Sequence, residues 1–401
     1  MKSTLAFLSL IALGACTEHQ DGVTGTQSLA IDMTSPTNTG DVDTRLDGST
    51  QSHTVTVNIK ALDAQDKLDT SFSATINIYA QFLGTLTPAL GEQPLDTVDV
   101  ENGVAATKTI VLPAAVLGPT QLWFDNGHGT ARDYVPGPIT GTSPTLWYRD
   151  PFISDIQTPA MENSLDALVK TPLTDKQISV SASRYGATGK LVVTSVFAQG
   201  YTLSDVNCAT RPCTSDSYNH VVVFSFSAPR DQNGTVLTVG DIVKQFNGGV
   251  EEFNGLTEIG FPASVTPTSD VPTDKHDEAA IPAPVKLDPL TWFKPLSDAS
   301  GGRIAFERNE AGLIEIDGAT VCALDDDYTT YKQWKIDPSA AGACSSSDLI
   351  NLITQGTDFS IDPATLVGKK LTKVIGILRP VNIGSFNVWI VYPRGEADIT
   401  Q

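Results

Sequence analysis

Apolar and polar residues alternate over strand-length stretches along this chain, and that pattern excludes most helical folds. Thr54-Val55-Thr56-Val57-Asn58-Ile59 and Ala74-Thr75-Ile76-Asn77-Ile78-Tyr79-Ala80 place every second side chain on one face. That is the period of a strand half-buried against a core. Residues 106–112, 120–124 and 145–148 are further strand candidates, with Gly91, Asn102-Gly103 and Asn126-Gly127 as turn signals between them. An amphipathic helix needs apolar residues three or four apart over ten or more positions, and such runs are scarce. The 32 glycines and 24 prolines supply turns instead. The expectation is an all-β protein.

The first sixteen residues follow a different rule. Met1 and Lys2 give a basic start, and the run from Leu5 to Leu13 is apolar except for Ser9. Small residues then precede a cysteine, in Leu13-Gly14-Ala15-Cys16. The run is too short to span a bilayer, so it reads as a processed targeting segment. The pattern resembles the lipobox of bacterial lipoproteins. The resemblance implies that Cys16 carries palmitate-type acyl chains, that the residues before it are removed, and that the partner is a membrane reached through the lipid. Thr17 rather than Asp follows the cysteine. In such lipoproteins this implies an outer-membrane or cell-surface destination.

Acidic residues outnumber basic ones by 46 to 26, for a net charge of −20. Such a chain repels phosphates and anionic lipid heads at long range. Besides Cys16 there are Cys208, Cys213, Cys322 and Cys344. An even count in an exported chain points to two disulfides. Three connectivities are open, and Cys208–Cys213 with Cys322–Cys344 keeps each pair within one module. Zinc spacing is absent, so no metal and no cofactor is implied.

The chain divides into a signal segment (1–16), a flexible tether (17–26), an immunoglobulin-like β-sandwich (27–157), a second β module (175–265), a proline-rich connector (266–300) and a third β module (301–401). The sandwich expectation rests on short strands at regular spacing, without the Cys…Trp…Cys hallmark of antibody-type domains. Within the connector Trp292 is the expected docking aromatic. In the second module Phe253-Asn254-Gly255-Leu256 predicts a tight hairpin, because both central positions need φ > 0.

The motifs of the second module are Val193-x-x-Val196-Phe197-x-x-Gly200-Tyr201-x-Leu203-x-Asp205, then Val239-Gly240-Asp241-Ile242-Val243, then Gly249-Val250-Glu251-Glu252-Phe253-Asn254-Gly255-Leu256-Thr257-Glu258-Ile259. Together they resemble the OB-fold-like modules of bacterial secreted nucleases of the endonuclease/exonuclease/phosphatase type. The third module carries Gly368-Lys369-x-Leu371-x-x-Val374-x-Gly376-Ile377 and Trp389-x-Val391-Tyr392-Pro393-Arg394, which resemble the terminal strands of the same modules. The implied fold is therefore an immunoglobulin-like sandwich followed by two OB-fold-like β-barrel modules, a divergent internal repeat without that family's catalytic domain.

No nucleophile elbow, zinc-protease helix or phosphate loop is present. Five scattered histidines do not mark a triad, so no catalytic residue is assigned. Asp325-Asp326-Asp327 reads as a solvated loop rather than a calcium site, since the EF-hand spacing is missing. An OB-fold ligand face falls mainly on its second and third strands. The candidate face here is Tyr201, Arg211, Phe224, Phe226 and Arg230, with Lys369 in the third module. The competing reading takes Phe224 and Phe226 as core residues, because they alternate with Ser225 and Ser227. The expected function is a non-enzymatic, membrane-anchored envelope lipoprotein that binds or scaffolds an envelope protein or glycan. The alternatives are a nucleic-acid-binding lipoprotein and an enzyme with a spatially assembled site.

Overall fold

The computed structural model describes residues 25–47, 52–82, 92–112, 116–127, 138–159, 162, 171–269, 271–294, 302–345, 348–354, 360–383 and 386–401. Cys16, the signal segment and all but the end of the tether lie outside the described residues. Among the described residues the architecture is all-β, and no helix is long and apolar enough to cross a membrane.

The first unit contains β1 (Ser28–Ser35), β2 (His53–Leu62), β3 (Ala74–Phe82), β4 (Asp96–Val100), β5 (Val104–Leu112), β6 (Pro119–Asp125), β7 (Thr140–Thr142) and β8 (Leu146–Trp147). One sheet has the order β1-β2-β5 and the other β4-β3-β6-β7, with β8 also on β6. The two inner faces share one core. Val55, Val57 and Ile59 come from β2, Ile110 and Leu112 from β5, Ile76 and Ile78 from β3, and Leu122 and Phe124 from β6. These are the apolar positions of the alternating runs, so the pattern that predicts the strands also supplies the sandwich core. The sheets meet where β7 passes β1. A β-carbon on Gly141 would stand 2.2 Å from the Leu29 carbonyl oxygen, so only glycine permits that approach.

The second sheet contains β9 (Gln177–Val180), β10 (Gly189–Phe197), β11 (Gly200–Asn207), β12 (His220–Phe224), β13 (Ile242–Val243), β14 (Gln245–Phe253) and β15 (Leu256–Val265), in the order β13-β10-β11-β12-β15-β14-β9. Its core includes Leu191, Val193, Leu203, Val221, Val223, Phe246, Val250 and Ile259. Ile153 and Ile156, from the short helix Ile153–Gln157, join this core rather than the sandwich's.

The third sheet contains β16 (Val285–Lys286), β17 (Leu313–Asp317), β18 (Thr320–Val321), β19 (Gln333–Asp337), β20 (Ile350–Ile353), β21 (Lys373–Ile383), β22 (Phe386–Tyr392) and β23 (Ile399–Thr400). Its order is β16-β17-β21-β22-β20-β19-β18, with β23 on β21. Trp334 and Ile336 are buried in its core, and so is Trp292 from the connector. The connector also contributes β16, which is paired parallel to β17. Residues 285–292 thus belong to the third sheet's packing.

The two larger sheets share one strand order. In each, the opening strand is broken in two. Its first piece, β9 or β17, pairs with the fourth strand of the motif, β14 or β21, while its second piece, β10 or β18, pairs with the second strand, β11 or β19. The third and fifth strands run parallel, β12 with β15 and β20 with β22. The barrel closure expected from sequence is absent among the described residues. The opening strand is interrupted between its two pieces, so its ladder with the second strand does not run on into its ladder with the fourth, and the sheets stay open. In the third sheet the break is a turn at Gly318, where φ is +68°; in the second it is the stretch 181–188, which ends in a 3₁₀ turn.

Both disulfides follow the pairing expected from sequence, Cys208–Cys213 and Cys322–Cys344. The three aspartates do not form a loop. Asp325 caps the helix Asp326–Tyr331, and Lys335 bonds to both Asp325 and Asp327. A capping aspartate satisfies a free N–H at the start of a helix, and acidic residues there are favoured by the helix dipole.

Candidate functional site: an aromatic cleft between two sheets

The second and third sheets meet along β15 and β12. The Thr257 N–H donates to Glu310 Oε1 at 3.0 Å, and the Tyr218 N–H donates to the Arg308 carbonyl at 2.8 Å. Val222, Leu256 and Ala311 form a small buried apolar cluster there, with Phe197 packed against it. Beside this contact lies a cleft of about 470 Å³.

Three phenylalanines stand exposed around it: Phe226 at 59%, Phe253 at 60% and Phe261 at 76%. Each is placed by a distinct backbone device. Phe253 ends β14 before the Asn254-Gly255 turn, where φ is +53° and +82°. Those values fit the two-residue hairpin turn read from the sequence. Phe261 sits at a β-bulge. Asn247 pairs with Ala263 and Gly249 with Gly260, so two residues, Phe261 and Pro262, oppose the single Gly248. Phe261 has φ +50°, in a region where glycine is the residue of least cost at such a bulge. Phe226 is the centre of a three-residue turn, in which the Ser227 N–H bonds to the Ser225 carbonyl and φ at Phe226 is +45°. A bulky residue in the left-handed region costs roughly 1–2 kcal/mol. Two of them hold their rings in contact, with centroids 5.0 Å apart. Phe224 packs edge-on against Phe226 at 4.7 Å.

The third sheet supplies the opposite wall, with Arg379 on β21 and Tyr392 on β22. The Arg379 guanidinium lies over the Phe197 ring at 4.7 Å and near the Tyr392 ring at 5.3 Å. Its Nε is sealed from solvent with no hydrogen-bond partner among the described residues. Burial lowers its pKa, against the attraction of Tyr392, Glu258 and Glu310. Glu258 and Glu251 are opposite one another in the β14–β15 ladder, and both line the cleft. Burial raises the Glu258 carboxyl; Arg379 opposes the shift and Glu251 adds to it.

Behind the cleft, buried carboxyls gather at the junction. Glu310 accepts from Thr257, but its Oε2 is sealed without a hydrogen-bond partner among the described residues. Glu307 is pushed up to about 10, first by burial and then by the charges of Glu310 and Glu252. Burial is also what raises Glu310 well above the usual carboxylate range. Glu307 is therefore protonated in the native protein at neutral pH. Among the described residues no group of three or more His, Cys, Asp or Glu is arranged to hold a metal ion.

Of the six residues proposed from sequence as a ligand face, Phe224 and Phe226 line this cleft. They are not core residues of the second sheet. Val221 and Val223 face that core, and Val222 and Phe224 face the third sheet. β12 ends at Phe224, so Phe226 has left the alternating run altogether. Tyr201 is fully buried, with its hydroxyl bonded to Ser264 Oγ at 2.6 Å. Arg211 makes a two-pronged ion pair with Asp277, which Lys190 also contacts. Arg230 donates to the Gly234 carbonyl within its own turn. Lys369 lies exposed in a turn of the third module, away from the cleft lining. Sequence reasoning missed Phe253, Phe261, Arg379, Tyr392 and the Glu251–Glu258 pair as site residues. Phe253 and the two glutamates carried a signal, since they flank the hairpin turn that was read. Phe261 did not, because a bulge is invisible without the partner strand.

No family model, curated protein or solved structure matches this chain. The reading of the cleft therefore rests on its own geometry.

Proposed function

We propose that this chain is a lipid-anchored cell-envelope protein, attached through Cys16 at the outer membrane or cell surface, that binds an envelope ligand in the aromatic cleft without transforming it. The observation that carries the reading is the presentation of Phe226 and Phe261, both exposed and both in left-handed backbone. Strained, solvent-facing aromatic rings lower stability, and a ligand that covers them gives a reason for their presence.

Architecture adds support of a coarser kind. The order β1-β2-β5 beside β4-β3-β6-β7 fits an immunoglobulin-like sandwich with its fourth strand moved to the other sheet. The shared order of the second and third sheets, with parallel third and fifth strands, fits a repeated OB-like module in open form. In that reading the two modules cooperate, since the cleft takes one wall from each. The nucleic-acid alternative loses support at its cations. Arg211 is neutralised by Asp277, and the cleft contains two glutamates.

Two experiments test the proposal. Wild-type protein is expected to incorporate labelled palmitate and sediment with membranes, and Cys16→Ser to do neither. Fractionated envelope material is expected to bind wild type, and to bind the Phe226→Ala, Phe261→Ala double variant much more weakly. Equal binding by the two forms would overturn the cleft as the ligand seat.

A further inference from the structure

The cleft's polar groups carry both signs, and that restricts what it accepts. Arg379 stands on one wall, and Glu258 and Glu251 stand on the other. A ligand with net negative charge meets two glutamates on a chain of net charge −20. A cation meets a guanidinium that keeps its proton at every ordinary pH. An uncharged hydroxyl suits both walls, because it donates to a carboxylate and accepts from a guanidinium at once. Gln199 and Asn254, also in the lining, offer the same mixture of donor and acceptor.

The apolar part of the cleft adds a second requirement. The ligand needs flat apolar faces to cover Phe226, Phe253 and Phe261, which are set around the opening rather than closed over it. A pyranose ring combines both demands, with C–H faces above and below and hydroxyls at its edge. An apolar peptide would cover the rings but leave Arg379 and the glutamates without partners, which is costly in a shielded site.

We infer that the cleft binds a neutral carbohydrate, whose ring faces lie on Phe226, Phe253 and Phe261 and whose hydroxyls bridge Arg379 and the Glu251–Glu258 pair. This assignment rests on the cleft being the ligand seat. It names the ligand class that the seat's charges and rings select.

The test is calorimetric titration of the full-length, detergent-solubilised protein. The neutral probes are maltohexaose, cellohexaose and N-acetylchitohexaose. The contrasting probes are oligogalacturonate, a chitosan oligomer and an uncharged phenylalanine-rich peptide. The expected result is saturable binding of at least one neutral hexasaccharide, insensitive to added salt because no net charge is recognised. Phe261→Gly is the decisive variant. Glycine is the residue that φ +50° favours, so the melting temperature should hold or rise while affinity falls by roughly tenfold or more. No binding of any neutral sugar, or tighter binding of a charged probe or of the peptide, overturns the carbohydrate assignment. If the preferred probe is charged or peptidic and Phe261→Gly still abolishes its binding, the cleft stands and only the ligand class falls. If a sugar binds wild type, Phe226→Ala and Phe261→Gly alike, the cleft reading falls as well.

Discussion

His220 ties the second sheet to the third through one imidazole. Its Nδ1 lies 2.7 Å from Ser204 Oγ within the second sheet, and its ring rests against Gly312 at the start of the third. Burial lowers its pKa to about 4. The native ring is therefore neutral where the unfolded chain, with a value of about 6.5, takes up a proton. The stability this contributes is complete above pH 6.5 and is lost as pH falls through about 4. At about 1.4 kcal/mol per pH unit it amounts to roughly 3 kcal/mol. His220→Gln removes this dependence, so the urea midpoint of wild type relative to the variant is expected to fall as pH is lowered across this window. Gly312 is the matching position. A β-carbon there would stand 2.6 Å from His220 Cδ2 and 3.0 Å from the Asn309 carbonyl. Gly312→Ala is expected to cost about 1–3 kcal/mol by overpacking, read as a lower midpoint at any pH.

The β14–β15 hairpin sets the outer edge of the cleft, and its turn sets the hairpin. Gly255 has φ +82°, which a β-carbon disfavours by about 1 kcal/mol. Gly255→Ala should lower the melting temperature by a few degrees and reduce ligand affinity through Phe253, although it touches no ligand. The bulge in the same hairpin does a different task. It turns Phe261 outward while Ile259 and Val250, a few positions along the two strands, keep their places in the core. A regular ladder would carry Phe261 on the period-two alternation of its neighbours. One inserted residue thus separates the requirements of core and cleft.

Across the whole molecule, the junction of the second and third sheets holds an opposing pH dependence. Glu307 and Glu310 are raised far above their unfolded value of 4.5. Their contribution is complete below pH 4.5 and is lost progressively as pH rises toward the folded values. His220 penalises acid and these carboxyls penalise base, so the two dependences oppose one another between about pH 4.5 and 6.5. Glu310→Gln keeps an oxygen to accept the Thr257 N–H and removes the titration. It should raise the urea midpoint at pH 8 and change little at pH 4.5. The cleft lies beside this junction and takes one wall from each of its sheets, so loosening the junction with base should weaken ligand binding before global unfolding.

The sequence by itself determined what depends on near neighbours. Alternation placed the sandwich strands and their core faces, as at Val55, Val57 and Ile59. Asn254-Gly255 specified its turn because φ > 0 is a local demand. Of the three connectivities open to the four cysteines, the one that keeps each pair within a module is the one that forms. Only the tertiary structure decided what depends on partners far along the chain. Alternation in β12 read two faces correctly but could not tell which met the sheet's core and which met the third sheet, because period two is symmetric between them. Sheet closure turned on how the opening strands break, at 181–188 and at Gly318, which no local pattern announces. Arg379 and Phe197 lie 182 positions apart and meet only because β21 docks against β10's end of the second sheet. A cleft whose walls come from two sheets has no contiguous signature, since its chemistry is assembled by packing rather than by spacing.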